Sequence, residues 1–212
     1  VNDFQFLYTQ SAHNNRSGLS EAVKVALVKD GAFFDWLEEN VDSLNSLEPA
    51  ALEEAVERSA ILHARHIALG GDPFETGSSR PLDFGHWTAH KMEQLTDFEL
   101  SHADAVSVGV ALDTLYSARC GWMSEKDAWR AVEVLQRLQL PVWHESLELR
   151  DEEGRRLVYR GLEEFREHLG GELTVLMLEG VGQAADRHSV DEPLHESCIN
   201  ELKEASQRGV PT

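Results

Sequence analysis

The segment ADAVSVGVAL, residues 103–112, carries apolar side chains on nearly every side of a helix. A helix that is apolar all round has to be covered by other elements, so this one is expected to lie in the core. Ser101 followed by Asp104 resembles a capping box. We therefore expect the helix to begin there and to end near Arg119, and we expect the rest of the chain to supply elements that cover it.

Helical periodicity continues through most of the remaining sequence. Apolar stripes and caps predict further helices at Leu19/Val23/Ala26/Leu27, at Phe33/Trp36/Leu37, at Leu52/Val56/Ala60/His63, at residues 83–95 with Asp83 as N-cap, at 124–139, at 161–169 and from Glu192 onward. Gly and Pro in 70–81 indicate a loop. ELTVLMLEG at 172–180 is typical of a strand and is expected to pair with LVYR at 157–160. The predicted fold class is mainly α, with residues 1–212 forming one helical domain that has one short β-hairpin.

Composition excludes several classes of partner. Acidic residues outnumber basic ones by 38 to 19, which argues against binding to a nucleic acid backbone. Cys120 and Cys198 are far apart and lack CxxC spacing, which favours reduced thiols and a cytoplasmic location. No stretch approaches the ~18 apolar residues that span a bilayer, so no membrane partner is expected. The chain begins with Val1 rather than Met, and we expect it to be part of a longer protein.

Three histidines raise the question of a metal site. His86, His90 and Glu93 share one face of a helix, and two imidazoles one turn apart can ligate a single ion. Trp87 follows His86, so the HExxH metalloprotease pattern is not met. One structural and one surface histidine would also explain the pair. His102 falls in the first turn of the core helix, where the helix dipole favours neutral imidazole, the metal-binding form. A core histidine bonded to a backbone carbonyl fits that position equally well.

The first apolar helix contains two charged residues. Glu21 and Lys24 lie on a face otherwise formed by Val25 and Val28, while the opposite face is also apolar. Burying a charge is costly unless it is paired or bound to a metal. A solvated ion pair between residues i and i+3 on a half-exposed helix is the alternative.

Three stretches resemble the C-terminal half of the sugar-phosphate cyclases, the dehydroquinate synthase family, in order and in spacing. They are RSGLSEAVKVALVKDGAFFDWLEEN, DPFETGSSRPLDFGHWTAHKME and LSHADAVSVGVAL, and the resemblance covers residues 16–185. It implies a catalytic divalent metal, zinc or cobalt, held by Glu21, His86 and His102. It also implies that Lys24 binds substrate, that His90 assists proton transfer and phosphate departure, and that Glu75 matches a family glutamate in the active site.

The resemblance further implies an activity. Family members use NAD to oxidise a ring hydroxyl, eliminate phosphate, reduce the ketone again and close a carbocycle by an aldol step. They bind NAD on an N-terminal α/β domain that we do not find in this sequence, and they are commonly homodimers. GVGQAA at 180–185 satisfies G-x-G-x-x-A, but without a βαβ unit we do not interpret it as a dinucleotide site. The chain is therefore expected to be the metal- and substrate-binding half of a cyclase for a phosphorylated sugar, and to be inactive alone.

Departures from the family pattern bear on the substrate. Asp83 stands where dehydroquinate synthases usually carry Asn, which is closer to the cyclases that use sedoheptulose 7-phosphate. Arg65 replaces a family lysine, and Arg80 lies one residue after the usual substrate-binding arginine. FREHLGG at 165–171 replaces a lysine pair, which leaves the roles of Arg166 and His168 in phosphate binding open. Two other functions remain as alternatives: the helical domain of an iron-type alcohol dehydrogenase, and a helical interaction module without catalysis.

Overall fold

The structure is a computed structural model that describes residues 3–69, 83–168 and 171–208. Its helices in the described ranges are α1 (Ala12–Ser17), α2 (Leu19–Lys29), α3 (Gly31–Glu39), α4 (Val41–Asn45), α5 (Pro49–Leu69), α6 (His86–Leu95), α7 (His102–Arg119), α8 (Glu125–Arg137), α9 (Arg160–His168) and α10 (Glu192–Arg208). Short 3-10 helices lie at Phe4–Thr9, Glu145–Glu148 and Leu157–Tyr159. Strands β1 (Val175–Gly180) and β2 (Gln183–Arg187) form an antiparallel hairpin. The mainly α fold class is confirmed.

Helix α7 is the centre of the molecule, as its composition predicted. Its residues are buried without interruption from Ala105 to Ala118, and it contacts α2, α6, α8, α10 and β1. The Ser101 hydroxyl accepts a hydrogen bond from the Asp104 amide at 3.2 Å and donates one to the Asp104 carboxylate at 2.7 Å. This cap fixes the first turn of α7, where His102 is the first helical residue.

Helices α6 and α7 touch through two glycines. A Cβ on Gly109 would stand 2.0 Å from the carbonyl oxygen of Gly85, and a Cβ on Gly85 would stand 2.6 Å from the amide nitrogen of Val110. Gly85 also has a left-handed φ of 76°, which glycine adopts readily. These contacts allow only glycine at both positions and bring the start of α6 onto the side of α7.

The predicted N-cap of α6 is wrong. Gly85 occupies that position, and no side chain caps the helix. The left-handed turn at Gly85 places Asp83 ahead of the helix, where its backbone carbonyl accepts a hydrogen bond from the His86 amide, at 2.9 Å. The side chain of Asp83 is therefore not used as a cap.

The strand at 172–180 is confirmed in β1, but its predicted partner is wrong. β1 pairs with β2 through a turn at Val181 and Gly182, whereas Leu157–Tyr159 is a 3-10 helix. Val158 and Tyr159 are both buried, and two successive inward side chains do not fit the alternation of a half-buried strand. The intervening α9 then runs from Arg160.

The G-x-G-x-x-A pattern belongs to this hairpin. Gly182 has a φ of 80°, its amide donates to the Leu27 carbonyl at 2.8 Å, and a Cβ there would stand 2.4 Å from the Gly31 nitrogen. The glycine is needed for the turn and for close contact with α2 and α3, so nothing at 180–185 resembles a βαβ dinucleotide site. Cys120 and Cys198 are free thiols. None of the helices in the described ranges has the length and apolarity to cross a bilayer.

Candidate metal and substrate site

Three side chains predicted to bind a metal converge from three helices. Glu21 lies in the first turn of α2, His86 is the first residue of α6, and His102 is the first residue of α7. One potential ligand atom from each lies within 4.8 Å of the other two. A carboxylate and two imidazoles are a donor set that suits zinc and related divalent ions, and such a set leaves coordination positions open for substrate. The residues therefore fit a catalytic metal.

His86 is held in the form that binds metals. Its side chain is buried, and its Nδ1 lies 3.1 Å from the Phe84 carbonyl oxygen, which can only accept a hydrogen bond. Nδ1 therefore carries the proton and Nε2 offers a lone pair. Burial, followed by the nearby charge of Lys24, lowers the pKa of His86 to about 4, so the ring is neutral near pH 7. Its Nε2 lies 3.8 Å from Glu21 Oε1.

Glu21 is shared between the predicted metal and a buried lysine. Lys24 is only 3% exposed, and its Nζ lies 2.6 Å from Glu21 Oε2. The pair has the i, i+3 spacing expected from the sequence, but the ammonium lies in the protein interior rather than in solvent. Oε1, the other carboxylate oxygen, faces His86. The lysine thus fixes the carboxylate while one oxygen remains available.

A third imidazole and a second carboxylate complete the cluster. The ring centroids of His86, His90 and His102 are 5.3 to 5.5 Å apart. Oε2 of Glu93 lies 3.0 Å from Nδ1 of His90 and 3.2 Å from Nδ1 of His102. His90, Glu93 and His102 also satisfy the distance condition for a metal group. His102 therefore belongs to two overlapping groups.

The clefts beside this cluster could hold a substrate. One, of about 420 Å³, is lined by His90, Glu93 and Lys91, with Trp87, Phe98 and Phe165 on its apolar walls. The other, of about 430 Å³, is lined by Glu21, Lys24, Ser59, His63 and His86. Asp83 lines both clefts. Its position supports a role in substrate binding, and the error in its predicted capping role does not affect this.

Two of the remaining predicted site residues, Arg65 and Arg166, do not join the cluster. Arg65 on α5 is exposed, as is Arg166 on α9, and neither lines these two clefts. Glu75, Arg80 and the side chain of His168 lie outside the described residues. Among the described residues predicted to bind a phosphorylated sugar, Lys24 is the cation placed at the site.

Sequence reasoning missed His63 and the role of Glu93. His63 appeared only as a member of the apolar stripe of α5, yet it lines the cleft with Glu21 and His86. The sequence feature that could have indicated His63 is a polar ring at the end of an otherwise apolar stripe. Glu93 was placed on the face of His86 and His90, but its contact with His102 depends on how α6 and α7 pack.

Comparison with known proteins places the chain in a family. Residues 18–156 match the family model described as 3-dehydroquinate synthase C-terminal. The 3-dehydroquinate synthase of Pseudomonas fluorescens (strain Pf0-1) is 38% identical over 141 residues, which are 66% of this chain and 38% of that protein. The enzyme of the same name from Pseudomonas aeruginosa (strain UCBPP-PA14) is 32% identical over 192 residues, covering 87% of this chain and 48% of that protein. The chain spans about half the length, or less, of these relatives.

Solved structures show the same fold. ValA, a 2-epi-5-epi-valiolone synthase from Streptomyces hygroscopicus subsp. jinggangensis 5008 with NAD+ and Zn2+ bound, aligns with a TM-score of 0.83 and 29% identity, covering 96% of this chain and 55% of that one. A 2-deoxy-scyllo-inosose synthase complexed with carbaglucose-6-phosphate, NAD+ and Co2+ aligns with a TM-score of 0.68 and 20% identity, covering 94% of this chain and 55% of that one. The family match over most of the chain, together with this fold, shows that the protein belongs to the 3-dehydroquinate synthase C-terminal family, the sugar-phosphate cyclases.

Proposed function

We propose that this chain is the metal- and substrate-binding part of an NAD-dependent cyclase that eliminates phosphate from a heptulose phosphate and closes a carbocycle. The observation that carries the proposal is the convergence of Glu21, His86 and His102, with Lys24 buried against Glu21. The relatives named 3-dehydroquinate synthase and the ValA structure with NAD+ and Zn2+ support it.

The proposed metal would be held by Glu21, His86 and His102. Bound there, a divalent ion supplies Lewis-acid polarisation of a substrate hydroxyl and of the ketone derived from it. Lys24 orients the Glu21 carboxylate by binding Oε2, and the Phe84 carbonyl orients His86. These contacts fix the two ligands before substrate arrives, which reduces the reorganisation needed during the reaction.

His90 is the proposed proton-transfer group. It is exposed at the cleft, and the carboxylate of Glu93 accepts the bond from its Nδ1, which leaves Nε2 to exchange a proton with substrate. Asp83 borders both clefts and can accept hydrogen bonds from substrate hydroxyls. We propose sedoheptulose 7-phosphate as the first substrate to test, because Asp83 stands where dehydroquinate synthases usually carry Asn.

The cofactor NAD is proposed to bind to an N-terminal α/β domain, since ValA with NAD+ bound is nearly twice as long as the region matched here. NAD supplies a hydride acceptor and, later in the cycle, a hydride donor. A homodimer, a cytoplasmic location, roles for Glu75 and Arg80, and inactivity of the chain alone remain predictions from the family resemblance and the thiol content. Size-exclusion chromatography with light scattering would measure the oligomeric state.

Metal binding tests the proposed site directly. We expect the 212-residue chain to bind Zn2+ or Co2+ in calorimetric titration, and we expect Glu21→Gln to lose most of this affinity because the site loses its anionic ligand. Glu39→Gln on α3 removes the same charge from an exposed position and should bind normally. Equal metal affinity in the Glu21→Gln variant and the parent chain would remove Glu21 from the site. The absence of metal binding in the parent chain would instead favour a helical interaction module.

Turnover tests the reaction. The chain would be fused or co-expressed with an NAD-binding half, and phosphate release would be assayed with sedoheptulose 7-phosphate and with the seven-carbon precursor of dehydroquinate. Release from either substrate, abolished by Glu21→Gln, is the expected result. Oxidation of simple alcohols without phosphate release would point to the alcohol dehydrogenase alternative, and release from neither sugar would overturn the cyclase proposal.

A further inference from the structure

Glu93 occupies an unusual position between two functional histidines. Its side chain is 13% exposed, whereas those of His90 and His102 are 54% and 47% exposed. Oε2 of this mostly buried carboxylate lies within hydrogen-bond distance of Nδ1 in both rings. Two exposed imidazoles on different helices thus contact the same carboxylate oxygen, which is itself mostly buried.

The chemistry of the contact determines which ring nitrogen carries the proton. An ionised carboxylate can only accept hydrogen bonds, so Nδ1–H of each ring donates to it and Nε2 of each ring is left with a lone pair. His86 shows the same tautomer by another route, since its Nδ1 faces the Phe84 carbonyl. All three imidazoles in the cluster therefore offer Nε2. The buried ring of His86 donates its Nδ1–H to a backbone carbonyl, and the two exposed rings donate theirs to Glu93.

The arrangement depends on the packing of α6 against α7. Glu93 reaches His90 within its own helix at i, i+3 spacing, whereas it reaches His102 across the interface between α6 and α7, the interface in which Gly85 and Gly109 are in close contact. Outer carboxylates of this kind fix the tautomer and orientation of metal-binding histidines. An exposed histidine at the start of a helix would otherwise have free rotamers.

Glu93 is better suited to this role than to direct ligation in a group with His90 and His102. Its Oε2 already accepts from two N–H groups, and a metal at that oxygen would require both rings to turn over or to lose these bonds. Glu21 leaves its Oε1 facing His86, while Lys24 is bound to Oε2. The Glu21 carboxylate thus has an oxygen available to a metal, whereas the Glu93 oxygen is occupied by the two imidazoles.

We propose that Glu93 is a positioning residue that presents Nε2 of His102 to the metal and Nε2 of His90 to the substrate by accepting Nδ1–H from both rings. The inference rests on the proposed function for the identity of the metal ligands. It adds that one carboxylate sets the geometry of both a ligand and a proton-transfer group. Loss of Glu93 is therefore expected to impair metal binding and proton transfer together.

The first test uses the metal-free 212-residue chain and does not depend on activity. Long-range 15N–1H NMR of the imidazoles reports the tautomer of each histidine. We expect His90 and His102 to carry the proton on Nδ1 in the parent chain and to become mixtures of tautomers in Glu93→Gln. His86, which is held by a backbone carbonyl, should be unchanged in both. Nε2–H tautomers for His90 and His102 in the parent chain would overturn the proposal.

The second test measures metal affinity and geometry with Co2+. We expect Glu93→Gln to weaken Co2+ binding by about 10- to 100-fold and to change the visible d–d spectrum, because outer carboxylates contribute to affinity on this scale. Glu99→Gln, an exposed change of the same charge just beyond α6, should leave both readouts unchanged. Affinity and spectrum unchanged in Glu93→Gln would overturn the proposal.

The same titration separates positioning from ligation. Complete loss of Co2+ binding in Glu93→Gln, with normal binding in Glu21→Gln, would make Glu93 a ligand and would overturn both this proposal and the ligand set. If the parent chain binds no metal, the ligand set fails while the NMR result still decides whether Glu93 orients the two rings.

Discussion

Replacing Gly109 by alanine tests the contact on which the site geometry depends. Helices α6 and α7 meet where the added Cβ would stand 2.0 Å from the Gly85 carbonyl oxygen and 2.9 Å from its carbon. These are backbone atoms, which cannot rotate away as the end of a side chain can. Because Gly85 immediately precedes His86, any separation of the helices also displaces a proposed metal ligand.

The expected magnitude follows from this geometry. Ordinary contact begins near 3.4 Å, so a Cβ at 2.0 Å requires the facing backbone to retreat by about 1.4 Å. Overpacking of a core costs about 1–3 kcal/mol, and we take the upper end because the added methyl group clashes with backbone atoms. Alanine also stabilises the helix by about 1 kcal/mol relative to glycine, through its higher helix propensity. The net loss of about 2 kcal/mol corresponds to a fall in Tm of roughly 4–8 °C for a chain of this size.

Thermal unfolding followed by circular dichroism measures this change. Gly18→Ala is the matched control, because its Cβ would meet the nearest atom, the Asn14 carbonyl oxygen, at 3.5 Å with an ordinary helical φ of −60°. We expect the Tm of the Gly18→Ala variant to be unchanged or slightly raised, and Co2+ affinity to fall only in Gly109→Ala. A Gly109→Ala chain with a Tm at or above that of the parent would refute the close approach of the two helices.

Two other predictions concern buried polar groups. Arg156 is 2% exposed, donates to the Leu147 carbonyl and to Asn200, and forms an ion pair with Glu196 at 3.0 Å. Arg156→Met should therefore reduce the free energy of unfolding, measured in urea, by about 3–5 kcal/mol, with partial recovery in Arg156→Lys. An unchanged urea midpoint would contradict this. Burial raises the pKa of the Cys198 thiol from 9.0 to about 12, and raises the pKa of the half-buried Cys120 thiol without a comparable loss of access, so Cys120 should react faster than Cys198 in the native chain and the two should react alike in denaturant. Because the unfolded thiol loses its proton first, the stability associated with Cys198 should be present below pH 9.0 and should be lost toward about pH 12, and a Cys198→Ala chain should lack this loss.

The spacing of apolar residues predicted those helices that bury a face of their own. The sequence shows apolar residues on all sides of α7 and apolar stripes along α2, α3, α5 and α8. The pairing of β1 was not visible, since the choice between 157–160 and 183–187 depends on the turn and on contacts of Gly182 with α2 and α3. Asp83 was mistaken for a cap because the chain makes a left-handed turn at Gly85, which occupies the N-cap position itself.

The site was only partly accessible from the sequence. For His86, the alternative of a structural histidine agrees with its burial and its Nδ1 contact with the Phe84 carbonyl, and yet its Nε2 still faces Glu21. For His102 the alternative of a core histidine bonded to a backbone carbonyl is wrong, because its ring is exposed and contacts a carboxylate. Spacing could not separate these cases, and the family resemblance was needed to select the three proposed ligands. Contacts between helices, such as the one from Glu93 to His102, could not be read from any single helix.

The position of the cluster at helix N-termini has an electrostatic consequence. Glu21, His86 and His102 all lie in the first turns of their helices, where the positive ends of the dipoles favour neutral imidazole and anions and oppose a cation. The carboxylates of Glu21 and Glu93 supply the negative charge that makes a divalent ion tolerable there. The helix N-termini and Lys24 also place positive charge beside the clefts, although the chain as a whole has a formal charge of −19. The local field at the clefts is therefore set by helix orientation and by a few buried charges, and the acidic composition does not argue against a phosphorylated substrate.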